Sequence, residues 1–347
     1  MEEENSCKGN LENQHPPRVL VTGGAGYIGQ AAAYLLKQAG FYVVVLDNLV
    51  NGHREVVEDV LKIPLYVGEM GDIPFVENIL RQEKINSVMH FSAYCYVGES
   101  VKNPALYYQN NVSETLKLLD AMRNCGVKKI VFSSTCATYG NPKKLPLMED
   151  HPQEPINAYG TSKLMVEQIL KDYETAYGLH SASLRYFNAA GAHPESLFGE
   201  CHVPETHLIP LVIDSALKGS TKNALIINGG DYPTDDGTCV RDYVHILDLA
   251  EAHLLALQYL FEEEKSIALN LGSEKGYSIL EVINMVEKIT EKKVNYQFGE
   301  RRSGDPAVLV ADSRLAYDVL NWKTTYSLED IIRHAYAFHL KRLDTSL

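Results

Sequence analysis

The sequence predicts an α/β fold: a doubly wound parallel sheet followed by a smaller C-terminal α/β lobe. Two observations carry this. Short, near-continuous apolar runs rich in β-branched residues alternate with longer helical patterns, and strands apolar throughout are those buried on both faces by helices. A glycine-rich turn also lies directly between the first run and the first helical pattern.

The runs are RVLVT (18–22), YVVVL (42–46), IPLYV (63–67), SVMHF (87–91), KIVFSS (129–134) and SASLRYF (181–187). Helices are expected between them near 27–39, 73–83, 104–124 and 158–177. Beyond residue 188 the alternation loosens through NAAGAHPESLFGECHVPETHLIP, and further helices are expected near 247–261, 278–290 and 327–341. The resulting division is a disordered tail over 1–16, a sheet domain over 17–187 and a substrate lobe over 188–347, partly interleaved with the sheet.

Composition narrows the function classes. Of 347 residues, 45% are hydrophobic and 22% charged, as in an ordinary globular chain with a real core. The net charge of −13 and the lack of a Lys/Arg run argue against a nucleic-acid partner. No apolar run reaches the ~20 residues of a membrane helix, so no membrane association is expected. The acidic, polar start is unlike a signal peptide. The six cysteines (Cys7, Cys95, Cys125, Cys136, Cys201 and Cys239) lack C-x-x-C spacing. They read as free thiols of a reducing, cytoplasmic compartment, and no metal is expected.

Gly23, Gly26 and Gly29 form G-x-x-G-x-x-G between strand and helix. Glycines there permit a tight turn and close approach of backbone to a pyrophosphate, which then rests on the helix N-terminus, as in a Rossmann-type dinucleotide site. Asp47 ends the next strand. A carboxylate at that point accepts from the adenosine ribose hydroxyls and repels the extra phosphate of NADP, so NAD is the expected cofactor.

Tyr159 and Lys163 are spaced i, i+4 and share a helix face. A free tyrosine, with a pKa near ~10, is a poor base at neutral pH. A neighbouring ammonium and a cationic nicotinamide both favour the phenolate, so the pair suits proton removal from a substrate hydroxyl. Thr135, at the end of the fifth strand, places a hydroxyl within reach of the same oxygen.

Taken in order, VTGGAGYIG, LDNL, HFSAYCYVGESV, YYQNNV, FSSTCATYG, AYGTSKLMVEQIL, LRYFNAAGAHP, DYPTDDGTCVRDYVHILDLAEAH, NLGSEKGYS and RRSGDPA span residues 18 to about 340. This series resembles the extended short-chain dehydrogenase/reductases and, among them, the UDP-glucose 4-epimerase family. The resemblance implies NAD contacts from Gly23, Gly26, Tyr27, Ile28, Gly29, Asp47, Asn48, Phe91, Ser92, Asn110, Ser133, Tyr159, Lys163 and Tyr186. Glu69 and Met70 stand where the family has Asp followed by Ile or Val at the adenine. The implied catalytic trio is Thr135, Tyr159 and Lys163, with Thr135 replacing the more frequent Ser. The UDP-sugar side falls on Asn188, Leu208, Arg241, Arg302, Asp305 and Leu309, together with Thr135 and Tyr159. Arg241 and Arg302 are the expected diphosphate clamps.

There are further departures. Cys95 replaces Lys or Ser, Asn228 replaces an aromatic that stacks on uracil, and Leu309 replaces a Tyr or a Cys. The implied activity is inversion at C4 of a UDP-hexose through a transient 4-keto sugar, with NAD borrowed and returned. The implied assembly is a homodimer through helices 104–124 and 158–177. A UDP-arabinose/UDP-xylose or UDP-N-acetylhexosamine 4-epimerase and a non-catalytic NAD-binding sensor remain open. A 4,6-dehydratase is disfavoured, because Cys136 and Ala137 stand where that family has an Asp–Glu pair.

Overall fold

The alternation of apolar runs and amphipathic stretches becomes, in a computed structural model describing residues 16–218, 224–302 and 305–345, a seven-stranded sheet covered on both faces. The tail and Cys7 lie outside the described residues. The first half contains β1 (Arg18–Thr22), α1 (Tyr27–Gln38), β2 (Tyr42–Asp47), β3 (Leu65–Val67), α2 (Ile73–Gln82), β4 (Ser87–His90), α3 (Val97–Lys102), α4 (Pro104–Tyr107), α5 (Glu114–Asn124), β5 (Lys129–Thr135), α6 (Ala158–Tyr177) and β6 (His180–Tyr186). The second contains β7 (Asn188–Ala190), α7 (Leu208–Lys218), β8 (Leu225–Asn228), β9 (Val240–His245), α8 (Ile246–Glu262), β10 (Ile267–Leu271), β11 (Gly276–Ser278), α9 (Ile279–Thr290), β12 (Tyr296–Gly299), β13 (Val308–Leu309), α10 (Arg314–Leu320) and α11 (Leu328–Thr345).

The sheet order is β10-β6-β5-β4-β1-β2-β3, every pair parallel, with the chain reversing direction of travel between β1 and β4. That is the doubly wound Rossmann order with a seventh strand added. One core cluster joins α1 and α8 to one face of the sheet, and a second joins α2, α5 and α6 to the other. A third lies in the second half, among α7, α9 and α11.

Two expectations are corrected, and the interleaving takes a definite form. The third strand starts at Leu65 rather than 63, after Pro64. The helix expected over 104–124 is interrupted by a π-helical segment at Tyr108–Ser113, beyond Pro104, which opens its first turn. The seventh strand, β10, comes from the half beyond residue 188, and α8 from that half packs on α1. Its short IALNL run carries little periodicity of its own.

Candidate active site

A cleft open to solvent runs along the carboxyl ends of β1, β2 and β4. Gly23, Gly26, Asp47, Asn48, Glu69, Met70, Phe91, Ser92 and Asn110 all line it. Its floor is main chain. Gly23 has φ +71°, and a Cβ there would stand 2.6 Å from the backbone nitrogen of Ser92. Only glycine allows that turn to lie so close to the end of β4.

Helix α1 opens with Tyr27, Ile28 and Gly29 and has neither a side-chain cap nor an acidic residue in its first turn. Its first N–H groups and positive dipole end therefore suit an anionic diphosphate. Asp47 accepts from Ala25 N at 3.0 Å and Leu49 N at 2.8 Å, which ties β2 to the glycine turn. Burial pushes its carboxyl upward in pKa, partly offset by those bonds. Glu69 accepts from the Asn48 amide at 3.2 and 3.3 Å, so the longer side chain at this position closes the far end of the cleft with Asn48.

The second group of predicted residues gathers at the ends of β5 and β6. Thr135 caps the short turn Cys136–Thr138, its hydroxyl accepting from Ala137 N at 3.1 Å. The Asn157 side chain caps α6 through Gly160 N at 2.8 Å. A Cβ on Gly160 would meet Ala137 O at 2.4 Å, so glycine lets α6 settle directly on the turn that carries Thr135. This contact sets Tyr159, buried at the opening of α6, against the turn that carries Thr135, and the Thr135 side chain acts to lower the Tyr159 pKa.

Lys163, one helical turn further, is buried and donates to Ser133 O at 2.8 Å. Burial lowers its pKa to about 8. Burial also raises that of Tyr159, with the neighbouring phenol of Tyr186 adding to the effect. The protein's own groups thus keep the Tyr159 phenol neutral. Tyr186 is bonded to Ser133 through their hydroxyls at 2.5 Å.

The residues expected on the sugar side meet only in part. Asn188 donates to Asp242 O at 2.9 Å, holding β7 against β9. Arg241 is ion-paired with Asp305, and its side chain is 11% exposed. Leu309 pairs with Arg241 across β13 and β9 and packs against the cluster of Cys136, Tyr139, Leu147, Phe187 and Ala311, beside the turn that Thr135 caps. Leu208 opens α7. Arg302 is exposed, and its carbonyl accepts from the backbone N–H of Asp305, the partner of Arg241. Its neighbour Arg301 pairs instead with Asp231 and stacks on Tyr232.

Sequence reasoning missed two sets of residues. Glu167 and Arg185 form an ion pair of 2.7 Å, both buried, and Glu167 also accepts from Ser134 at 2.5 Å. This network clamps α6 to β5 and β6, and its signal was the i, i+4 spacing of Glu167 from Lys163. The second set is Glu200, His202, Glu205 and His207, whose donor atoms lie within 4.8 Å of one another. Its signal was the E-x-H-x-x-E-x-H spacing.

Comparison with known proteins agrees with this architecture. A UDP-glucose 4-epimerase of Lacticaseibacillus casei is 48% identical over 322 residues, 92% of this chain and 96% of the relative. The crystal structure of UDP-glucose 4-epimerase from Brucella ovis in complex with NAD superposes with a TM-score of 0.89 at 44% identity, covering 93% of this chain and 98% of that one. An epimerase from Stenotrophomonas maltophila, with bound NAD and formylated UDP-arabinopyranose, gives a TM-score of 0.91 at 40% identity over 96% of this chain and 100% of that one. The family described as NAD dependent epimerase/dehydratase matches residues 19–272, and the chain belongs to it.

Proposed function

We propose that this chain is a UDP-glucose 4-epimerase, interconverting UDP-glucose and UDP-galactose. The observation that carries the reading is Tyr159 set against the Thr135 turn, with Lys163 buried one helical turn on and donating to Ser133 O, together with a cleft whose glycine floor suits a dinucleotide. Bound NAD supplies a reversible hydride acceptor for sugar C4 and a cationic ring near the phenol.

In this reading Gly23, Gly26 and the start of α1 hold the diphosphate of the cofactor. Asp47 holds the adenosine ribose, while Asn48, Glu69 and Met70 border the adenine. Phe91, Ser92, Asn110, Ser133 and Tyr186 line the path to the nicotinamide. Tyr159 takes the proton from the sugar 4-hydroxyl and returns it after C4 inverts. Thr135 holds that oxygen by a hydrogen bond. Lys163 orients the nicotinamide ribose, and its ammonium favours the phenolate. Arg241 lies close enough to the sugar end to leave Asp305 and take a phosphate oxygen, since a guanidinium fork matches either partner.

We further propose a division of labour: 17–187 carry the cofactor and 188–347 the UDP-sugar. Homodimer formation through the α5–α6 face is supported by Met165 of α6 and Val101 of the adjoining α3, 44% and 57% exposed. A cytoplasmic setting is supported by Cys95, Cys125, Cys136, Cys201 and Cys239, all free thiols. No helix among the described residues is long and apolar enough to cross a membrane.

The test is product analysis with UDP-galactose, UDP-glucose, their N-acetyl forms and UDP-arabinose. Interconversion of the first two without added nucleotide is expected. Turnover of UDP-arabinose alone would overturn the assignment.

A further inference from the structure

The segment between β7 and α7 folds back on itself so that four side chains of the E-x-H-x-x-E-x-H stretch converge. His207 Nδ1 lies 2.7 Å from Glu200 Oε1 and 2.9 Å from Glu205 Oε1. His202 Nδ1 lies 3.7 Å from Glu200 Oε1 and 3.6 Å from Glu205 Oε2. That nitrogen is buried and has no hydrogen-bond partner. A buried ring nitrogen that stands between two carboxylates without a hydrogen bond to either leaves room for a ligand shared among them.

The spacings suit a metal. Zinc bound to His N and Glu O at ~2.0–2.2 Å in a tetrahedron has donor–donor edges of about 3.3–3.6 Å. Of the six donor–donor edges, the four between a histidine and a carboxylate are 2.7 to 3.7 Å and bracket that value, and all six lie within 4.8 Å. Two carboxylates and two neutral imidazoles also balance a divalent charge. We propose that Glu200, His202, Glu205 and His207 form a binding site for a divalent transition ion of the zinc class.

The ion ties down the segment that leads into α7. Tyr27, the first residue of α1, sits edge-on to His202 at 6.3 Å, and Tyr96, at the start of α3, packs on both His202 and His207. His53 Nε2 lies 3.0 Å from Cys201 O on the same segment. The metal therefore has a structural role, fixing the segment against the opening of the glycine cradle, with no part in the hydride chemistry. Its entry displaces the proton that His207 Nδ1 otherwise shares with the two carboxylates, so binding releases protons.

The experiment uses the untagged full chain with its cofactor, stripped by chelator and dialysed against Zn²⁺ or, separately, Co²⁺. One zinc per chain and the visible bands of tetrahedral Co²⁺ are expected, without the thiolate-to-cobalt charge-transfer band that the cysteines would produce. H202Q and E205Q should each lose the ion while retaining bound NAD, which reports that the fold persists. If a variant fails to fold, the Co²⁺ spectrum of the unmodified chain decides. Less than a tenth of an equivalent of zinc retained, an octahedral cobalt spectrum, or undiminished binding in both folded variants would overturn the site. The first of these outcomes would leave a shared proton as the occupant.

Discussion

At the dinucleotide cleft the shape comes from main chain: the Gly23 turn, the uncapped start of α1 and the ends of β2 and β4. At the proposed sugar end it comes from side chains delivered by separate elements: Thr135 from β5, Tyr159 from α6, Arg241 from β9 and Leu309 from β13. A backbone site tolerates variation in its neighbours but no added atom. A side-chain site can be silenced, or retuned, one group at a time. Substitutions at the two ends should therefore fail in different ways.

The largest effect is expected from Tyr159→Phe. Losing the proton acceptor should lower kcat for UDP-galactose by ~10²–10⁴-fold. NAD released on denaturation should stay at the level of the unmodified protein. A variant that loses both would merge the two ends into one cooperative site and break the distinction. Next comes Arg241→Gln, which leaves the half-buried Asp305 beside an uncharged amide and removes the proposed phosphate partner. A loss of about 2–5 kcal/mol in UDP-sugar binding is expected, read as a rise in KM larger than the fall in kcat, again with NAD retained.

Lys163 permits a test by pH. Burial lowers its pKa from the ordinary 10.5 to about 8. Between those values the unfolded chain holds a proton that the folded chain has released, so stability rises with pH across that window. Below about 8 the folded state carries the whole cost of a buried ammonium, about 3 kcal/mol by that shift. In cofactor-free protein, the stability gap favouring Lys163→Met should close between pH 8 and 10.5, measured by chemical denaturation of both proteins. A gap independent of pH would show that the lysine is paired rather than merely buried.

Gly23→Ala probes the other end. With φ +71° and a Cβ 2.6 Å from Ser92 N, alanine should cost about 1–3 kcal/mol of stability and most of the bound NAD. Residual turnover per bound NAD should be unchanged, in contrast to Tyr159→Phe. The smallest effect is expected at Leu309, where weak activity on N-acetyl sugars should fall ~10-fold or more on Leu309→Tyr, sparing UDP-glucose and UDP-galactose. Equal turnover of both sugar classes by the unmodified protein would show that Leu309 is no gate.

The same contrast explains what could be read from the sequence. The strand–glycine–helix unit and the Tyr159–Lys163 pair are local, spaced by one turn or one helix, and periodicity exposes them. The pairing of Arg241 with Asp305 joins residues far apart in sequence, and no local pattern announces it. Arg302 and Arg241 looked equivalent in sequence, yet Arg302 is exposed while Arg241, on β9 beside β13, has a side chain only 11% exposed. Strand β10 escaped notice because a five-residue run after a long helix has too little alternation to signal itself.

The place of β10 has a consequence for biosynthesis. As the chain leaves the ribosome, β6 is complete by Tyr186, but the strand that covers its outer edge starts only at Ile267. For that interval the nascent sheet presents a row of unpaired N–H and C=O groups, the feature that seeds association between chains. Its other face waits equally for α8. The cofactor half is thus a late-closing fold, dependent on a contact of long sequence separation, and such contacts slow folding. Chaperone demand should peak between synthesis of β6 and β10, and a ribosome stalled in that window should hold a chain that binds NAD poorly.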